Sequence, residues 1–263
     1  MSDGQSVNQD GGTAMLEGRV LFLAGAGPQM GAATAMIAAR EGASVALTAR
    51  TTSTAETTAK AIVDAGGKAI ALQCDLTSEE EVRAALATTE AELGAVDAVF
   101  YNAAYYDNRQ DSIDVDEEVW DKSMAVNLEG AMRVARLVIP SMVERGGGSF
   151  VFSSSAASIV AGETRFGYQV SKAGLNAVTR FVAGKYGRKG IRANATLPFV
   201  LEGKIGDAAA SLNCLGRSPT SEEIGEAVVF LLSDRAAVIT GQIIHLDGGL
   251  FARAPWPTPS SRR

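Results

Sequence analysis

Arg19-Val-Leu-Phe-Leu-Ala-Gly-Ala-Gly-Pro-Gln-Met-Gly31 decides how the chain folds. Residues 19–24 are a compact apolar run of strand length, and an alanine-rich segment continues from Gly31 to about Arg40. A strand, a glycine turn and a helix in that order form an anion-binding device. Glycines let the backbone approach a pyrophosphate closely, and a helix N-terminus offers unpaired N–H groups and positive dipole. A glycine turn alone is equally consistent with an ordinary tight turn, so its neighbours have to decide.

The neighbours repeat the unit. Further apolar strands are expected at Ser44–Ala49, 68–74, 96–101, 150–152, 191–196 and within 241–249. Helical segments separate them: to about Ala65, from Glu79 to Leu93, from Glu117 to about Arg145, from about Tyr168, and from Ser218 onward. Strands alternating with helices give an α/β fold: a doubly wound Rossmann architecture, with a parallel seven-stranded sheet and helices on both faces. Asp75 or Thr77 is expected to cap the 79–93 helix, with Glu80 at a capping-box position. Pro140 is expected to kink or interrupt the 117–145 helix.

A second stretch carries the chemistry. Gly148-Ser-Phe-Val-Phe-Ser-Ser-Ser155 is a buried strand closed by three serines, and Tyr168-Gln-Val-Ser-Lys172 follows after a loop. Tyr168 and Lys172 stand four residues apart on a helix, one turn apart on the same side. A fixed ammonium favours a neighbouring phenolate, so the tyrosine is expected to titrate below its ordinary value near 10. Taken alone, such a pair is more often a tyrosine at a core edge beside a solvated lysine. Ser155, Asn127 in Val-Asn-Leu-Glu-Gly and Asn102-Ala-Ala104, added to the glycine turn, reverse those odds.

The end of the second strand distinguishes nicotinamide cofactors. An acidic residue there would hold the adenosine ribose and repel a 2′-phosphate. This chain has Ala49 followed by Arg50, Thr51, Thr52 and Ser53, a guanidinium and hydroxyls suited to a phosphate dianion. NADP(H) is therefore favoured over NAD(H).

In order and spacing, these motifs resemble the single-domain branch of the short-chain dehydrogenase/reductase family, 3-oxoacyl-reductase-like, over about residues 16 to 250. The resemblance implies an NADP(H)-dependent oxidoreductase interconverting a ketone and a secondary alcohol. Tyr168 is then the general acid/base and Ser155 the partner of the carbonyl oxygen. Lys172 tunes the tyrosine and binds the nicotinamide ribose, and Asn127 opens its helix to hold a proton-relay water. Cofactor contacts are implied at Gly25, Gln29, Met30, Gly31, Arg50, Thr51, Asp75, Leu76, Asn102, Ala103, Ala104, Tyr168, Lys172, Pro198 and Leu201. Four positions depart from the family pattern: Gln29 and Phe199 replace glycines, Ala104 replaces a glycine, and Gly203 stands where a phosphate-contacting threonine is common. Tyr105, Tyr106, Ala156, Ala157, Phe166 and Phe199 are expected to give an apolar substrate pocket. The lid over it, 204–217, is short. In this family the 117–145 helix and the Tyr-Lys helix pair across subunits, which implies a homo-oligomer, a dimer or tetramer. The alternatives are the same enzyme using NAD(H), or a non-catalytic dinucleotide sensor on this fold. The complete Ser-Tyr-Lys-Asn set favours the enzyme, since a sensor has no chemical reason to keep it.

Composition bounds the rest. At 263 residues and 46% hydrophobic content the chain can bury one large core, and its net charge of −6 is evenly mixed. No basic footprint for nucleic acid or anionic membrane is present. Cys74 and Cys214 lack metal-ligand spacing, and the one histidine, His245, falls inside a strand, so no metal site is expected. Reduced thiols and a start without a signal pattern point to the cytoplasm. Residues 1–15 and 252–263 are expected to be tails flanking one domain over 16–251.

Overall fold

A computed structural model describes residues 14–106, 113–160, 165–199, 201 and 211–252. Seven strands alternate with helices: β1 (Val20–Ala24), α1 (Met30–Arg40), β2 (Ser44–Ala49), α2 (Ser53–Asp64), β3 (Lys68–Gln73), α3 (Glu79–Glu92) and β4 (Ala98–Tyr101). The second half continues with α4 (Glu117–Met124), α5 (Gly130–Glu144), β5 (Gly148–Ser153), α6 (Phe166–Tyr186), β6 (Ile191–Pro198), α7 (Ser221–Leu232) and β7 (Ile243–Leu246).

All seven strands lie in one parallel sheet in the order β3-β2-β1-β4-β5-β6-β7. The chain winds outward from β1 to β3, then returns to the middle to start β4. The break between the two windings therefore falls between β1 and β4, and the loops after their C-terminal ends diverge to leave a crevice.

Strand alternation divides the core into two. Phe22, Val99, Tyr101, Phe150, Phe152 and Ala193 point to one face, covered by α3, α5 and α6 through Val82, Val134, Val138, Met142, Leu175 and Val182. Leu21, Leu23, Val45, Leu47, Phe100 and Val151 point to the other, covered by α1, α2 and α7 through Ile37, Ile62, Val228 and Leu232. Full burial of each large side chain contributes roughly 1.5–3 kcal/mol.

Local signals account for several helix starts and correct others. Thr220 and Glu223 form a reciprocal capping box at α7. At α3 the cap is Ser78, whose hydroxyl accepts from Glu81 N at 3.2 Å, and not Asp75 or Thr77. Asp75 is already engaged: its Oδ1 accepts from the backbone N and hydroxyl of Thr77, at 2.8 and 2.7 Å. The expected long helix runs from Glu117 to Glu144, and it opens around Asn127, at Ala125–Glu129, where the backbone widens into a π-turn. Pro140 does not end it, because α5 runs through that residue to Glu144. The opening has a tertiary cause. Tyr101 reaches from β4 to donate to the carbonyl of Val126 at 2.5 Å, and Asn127 is fully buried inside the turn. α6 begins at Phe166, two residues before the expected start, and Phe181 lies on its outer side at 64% exposure rather than in the buried stripe.

Candidate active site

The β1–α1 turn forms the floor of the crevice. Gly25 has φ +94°, and a Cβ there would lie 2.5 Å from the backbone N of Ala103, so only glycine lets the β1 and β4 loops meet this closely. Asn102 locks the meeting: its Nδ2 donates to the Gly25 carbonyl at 2.9 Å, and the N–H groups of Asn102 and Ala103 both donate to Ala24 O. Gly27 differs, since a Cβ there would meet nothing within 4 Å; its open side faces the cleft. Gln29 precedes α1 and makes no side-chain cap bond to it.

The crevice is a cleft of about 1000 Å³ running from this turn to Tyr168. It brings together Gly25, Gln29, Met30, Gly31, Arg50, Thr51, Asp75 and Leu76 at one end, and Asn102, Ala103, Ala104, Tyr168, Lys172, Pro198 and Leu201 towards the other. Arg50 is exposed beside Asp75. Burial pushes the Asp75 carboxyl up, but the two bonds from Thr77 and the charges of Arg50 and Arg133 outweigh it, leaving it below the ordinary aspartate value.

At the far end, β5 delivers Ser155 and α6 delivers Tyr168 and Lys172. The Ser155 hydroxyl accepts from Ala157 N at 3.2 Å, and it donates to the Tyr168 oxygen. Lys172 is almost fully buried beneath, its Nζ donating to Ser153 O at 2.6 Å and lying 5.6 Å from the Tyr168 ring centre. Burial pushes Lys172 down to about 7. Tyr168 departs from expectation: burial, and next the Tyr106 hydroxyl, hold it above its ordinary value, while the Ser155 bond pulls it partly back. The ammonium is aimed at the Ser153 carbonyl rather than at the phenol oxygen, so desolvation wins.

Asn127 does not line the cleft. Its Oδ1 accepts from Tyr105 N at 2.6 Å, and its Nδ2 donates to Tyr105 O and to Ser171 Oγ, both at 3.0 Å. In this arrangement it ties the loop after β4 to α6. Of the expected substrate-pocket residues, Tyr105, Tyr106, Ala156, Ala157 and Phe199 line the cleft. Phe166 does not; its ring packs against Trp120 at 5.8 Å. Gly203 and residues 204–210 of the expected lid lie outside the described residues. His245 sits in β7, edge-on to Phe251 at 5.3 Å, and is not part of the cleft.

Several cleft residues carried no signal in the sequence, among them Ser153, Ser154, Val160, Arg165 and Gln169. Among the described residues, no group of three or more His, Cys, Asp or Glu is placed to hold a metal ion.

A switch-point cleft on a doubly wound sheet, floored by a glycine turn and ending in Ser155, Tyr168 and Lys172, defines a Rossmann-type oxidoreductase. Comparison with known proteins narrows that class. A family model described as enoyl-(acyl carrier protein) reductase matches residues 25–251. D-threitol dehydrogenase of Mycolicibacterium smegmatis is 32% identical, over 89% of this chain and 93% of its own length. 3-Oxoacyl-[acyl-carrier-protein] reductase of Thermotoga maritima is 31% identical, over 89% and 98%. A structure from Sinorhizobium meliloti, described as a short-chain alcohol dehydrogenase, superposes with a TM-score of 0.86 at 33% identity, covering 91% of this chain and 98% of that one. The chain belongs to the short-chain dehydrogenase/reductase family and is an oxidoreductase acting on CH–OH groups. Members of that family use nicotinamide dinucleotides, and the cleft fits one: Gly27 lines it and leaves open space where a side chain would intrude.

Proposed function

We propose that the protein interconverts a ketone and a secondary alcohol using NADP(H), with Tyr168 as general acid/base. The observation that carries this reading is the convergence of the Ser155 and Tyr168 hydroxyls above buried Lys172, in the same cleft as the glycine turn. When bound, the nicotinamide supplies hydride to the carbonyl carbon or accepts it from the alcohol carbon. In reduction, Ser155 donates a hydrogen bond to the carbonyl oxygen and stabilises the charge that develops there. Tyr168 gives its proton to that oxygen, the O–H bond of the phenol breaking as the alcohol O–H forms. Its elevated pKa keeps it protonated before the step. Lys172 supplies positive charge to the phenolate left behind. Asn127 is a positioning residue, holding Tyr105 and Ser171 in register with α6.

Arg50 supports NADP(H) over NAD(H). It is exposed at the cleft, and none of the described ion pairs uses it. Arg50→Asp is expected to weaken NADPH binding by about 100-fold relative to NADH, the scale of one charge-assisted phosphate contact replaced by repulsion. Titrations following nicotinamide fluorescence read this directly. An unchanged ratio removes Arg50 as the phosphate reader, and a wild-type preference for NADH restores NAD(H) as the cofactor.

The same reading covers assembly. Met132 on α5 and Phe181 on α6 are 50% and 64% exposed, an apolar pair on the helices that form the subunit interface in the resembling family. A homodimer or homotetramer in the cytoplasm follows, with residues 16–251 as its single domain. Light scattering is expected to give two or four chains for the native protein, and a smaller species for Met132→Lys/Phe181→Glu.

A further inference from the structure

Arg165 is the one non-glycine among the described residues with positive φ, at φ 71°, ψ 55°. A left-handed backbone costs such a residue roughly 1–2 kcal/mol. It also occupies the N-cap of the 21-residue α6, where the helix dipole disfavours a cation, and its side chain makes no capping bond. Two local penalties therefore fall on a position where glycine would incur neither.

The side chain lines the substrate end of the cleft. Its guanidinium lies 5.3 Å above the centre of the Tyr106 ring, and that ring stacks on Tyr168 at 4.9 Å. Stacking occupies one face of the guanidinium and leaves its N–H edge for another partner. No carboxylate among the described residues provides one, and its Nε is buried without a hydrogen bond. Asp75, beside the β1–α1 turn end of the cleft, is the only acid among the described residues lining it.

We propose that Arg165 reads a carboxylate on the substrate, making the substrate an oxo acid. The inference rests on the ketone/alcohol reading above. The guanidinium stands over the Tyr106 ring rather than over Tyr168, so a carboxylate that it holds sits apart from a carbonyl at the Tyr168 hydroxyl. Compounds with several carbons or a small ring between the two groups suit that arrangement. A planar carboxylate matches the guanidinium edge with two parallel N–H···O bonds. The apolar walls, Tyr106, Ala157, Val160 and Phe199, accept the intervening carbons.

The test compares 4-oxocyclohexanecarboxylate with its methyl ester, which has the same ring and carbonyl but no charge. Melting temperatures are measured for wild type, Arg165→Gly and Arg165→Lys, each with oxidised cofactor, so that binding is read without turnover. Glycine suits φ 71°, so loss of folding does not confound the comparison. Wild type should bind the acid at least about tenfold more tightly than the ester, the scale of a charge-assisted hydrogen bond. Arg165→Gly should bring that ratio close to one, and Arg165→Lys, which keeps the charge but not the paired bonds, should retain only part of it. Equal affinity of wild type for acid and ester, an acid preference that survives Arg165→Gly, or no binding of either compound would each overturn the proposal. Turnover of the ester with NADPH separately tests the hydride-transfer reading. Ester reduction without acid preference sinks only the role of Arg165, and acid binding without any reduction sinks only the reaction.

Discussion

Tyr168→Phe is expected to lower kcat by about 10³-fold, within the range for loss of a positioned general acid. The substitution is conservative in every other respect. The ring is almost completely buried and stacked on Tyr106, and phenylalanine keeps both contacts. What goes is the proton donor and the bond from Ser155. Cofactor affinity should change by less than about threefold, because a lost interaction made only in the transition state appears in kcat and not in ground-state binding. The measurement is kcat for carbonyl reduction beside a fluorescence titration of the same preparation. A variant with kcat within about tenfold of wild type would remove Tyr168 from the proton transfer. A direction with pH accompanies this. Burial holds the phenol above its ordinary value, so reduction needs no prior protonation at neutral pH. Alcohol oxidation needs the phenolate and should accelerate as pH rises.

The fold was legible because each of its decisions is local. Residues 20–24 can only be a buried strand, the 25–31 turn needs the backbone freedom that glycine provides at Gly25, and strand-helix alternation then leaves a parallel sheet as the arrangement that buries both faces. Ser44–Ala49 agrees with β2 at both ends. Misplaced features were those decided by long-range partners. Ser78 rather than Thr77 caps α3 because Asp75 captures the Thr77 hydroxyl and Glu81 turns back to the backbone N of Asp75. Pro140 does not interrupt the helix from Glu117, and its opening around Asn127 is held by a tyrosine on β4 that donates to the Val126 carbonyl. The tyrosine's titration is likewise set by partners that spacing does not show. Spacing places Lys172 on the same helix side as Tyr168, but it does not reveal that Ser153 O captures the ammonium or that the phenol is desolvated. Arg165 was invisible because its significance lies in a left-handed backbone and in a ring brought from the β4 loop.

Lys172→Met should separate stability from catalysis in opposite directions. The buried ammonium titrates at about 7 in the folded chain, against an ordinary lysine value near 10.4 in the unfolded one. Between those values the unfolded chain binds the extra proton, so the lysine's contribution to stability rises with pH through that window. Below pH 7 both states are protonated, and the full cost of burying the charge is present. Methionine fills the same volume without charge. Against that gain stands the Ser153 carbonyl, which loses its donor at a cost of about 1 kcal/mol. Without cofactor, the variant should therefore be more stable than wild type by about 2–3 kcal/mol at pH 6–7, with the advantage shrinking steadily towards pH 10. Denaturant unfolding at a series of pH values measures it, and a difference that stays constant with pH would exclude the buried ammonium as its source. The same variant should lose about 10²-fold or more in kcat, since the phenolate formed in reduction then has no cation beneath it. A residue kept for packing would lose both stability and activity on replacement. Gain in one with loss in the other identifies a charge held in the core, at the expense of stability, for the reaction above it.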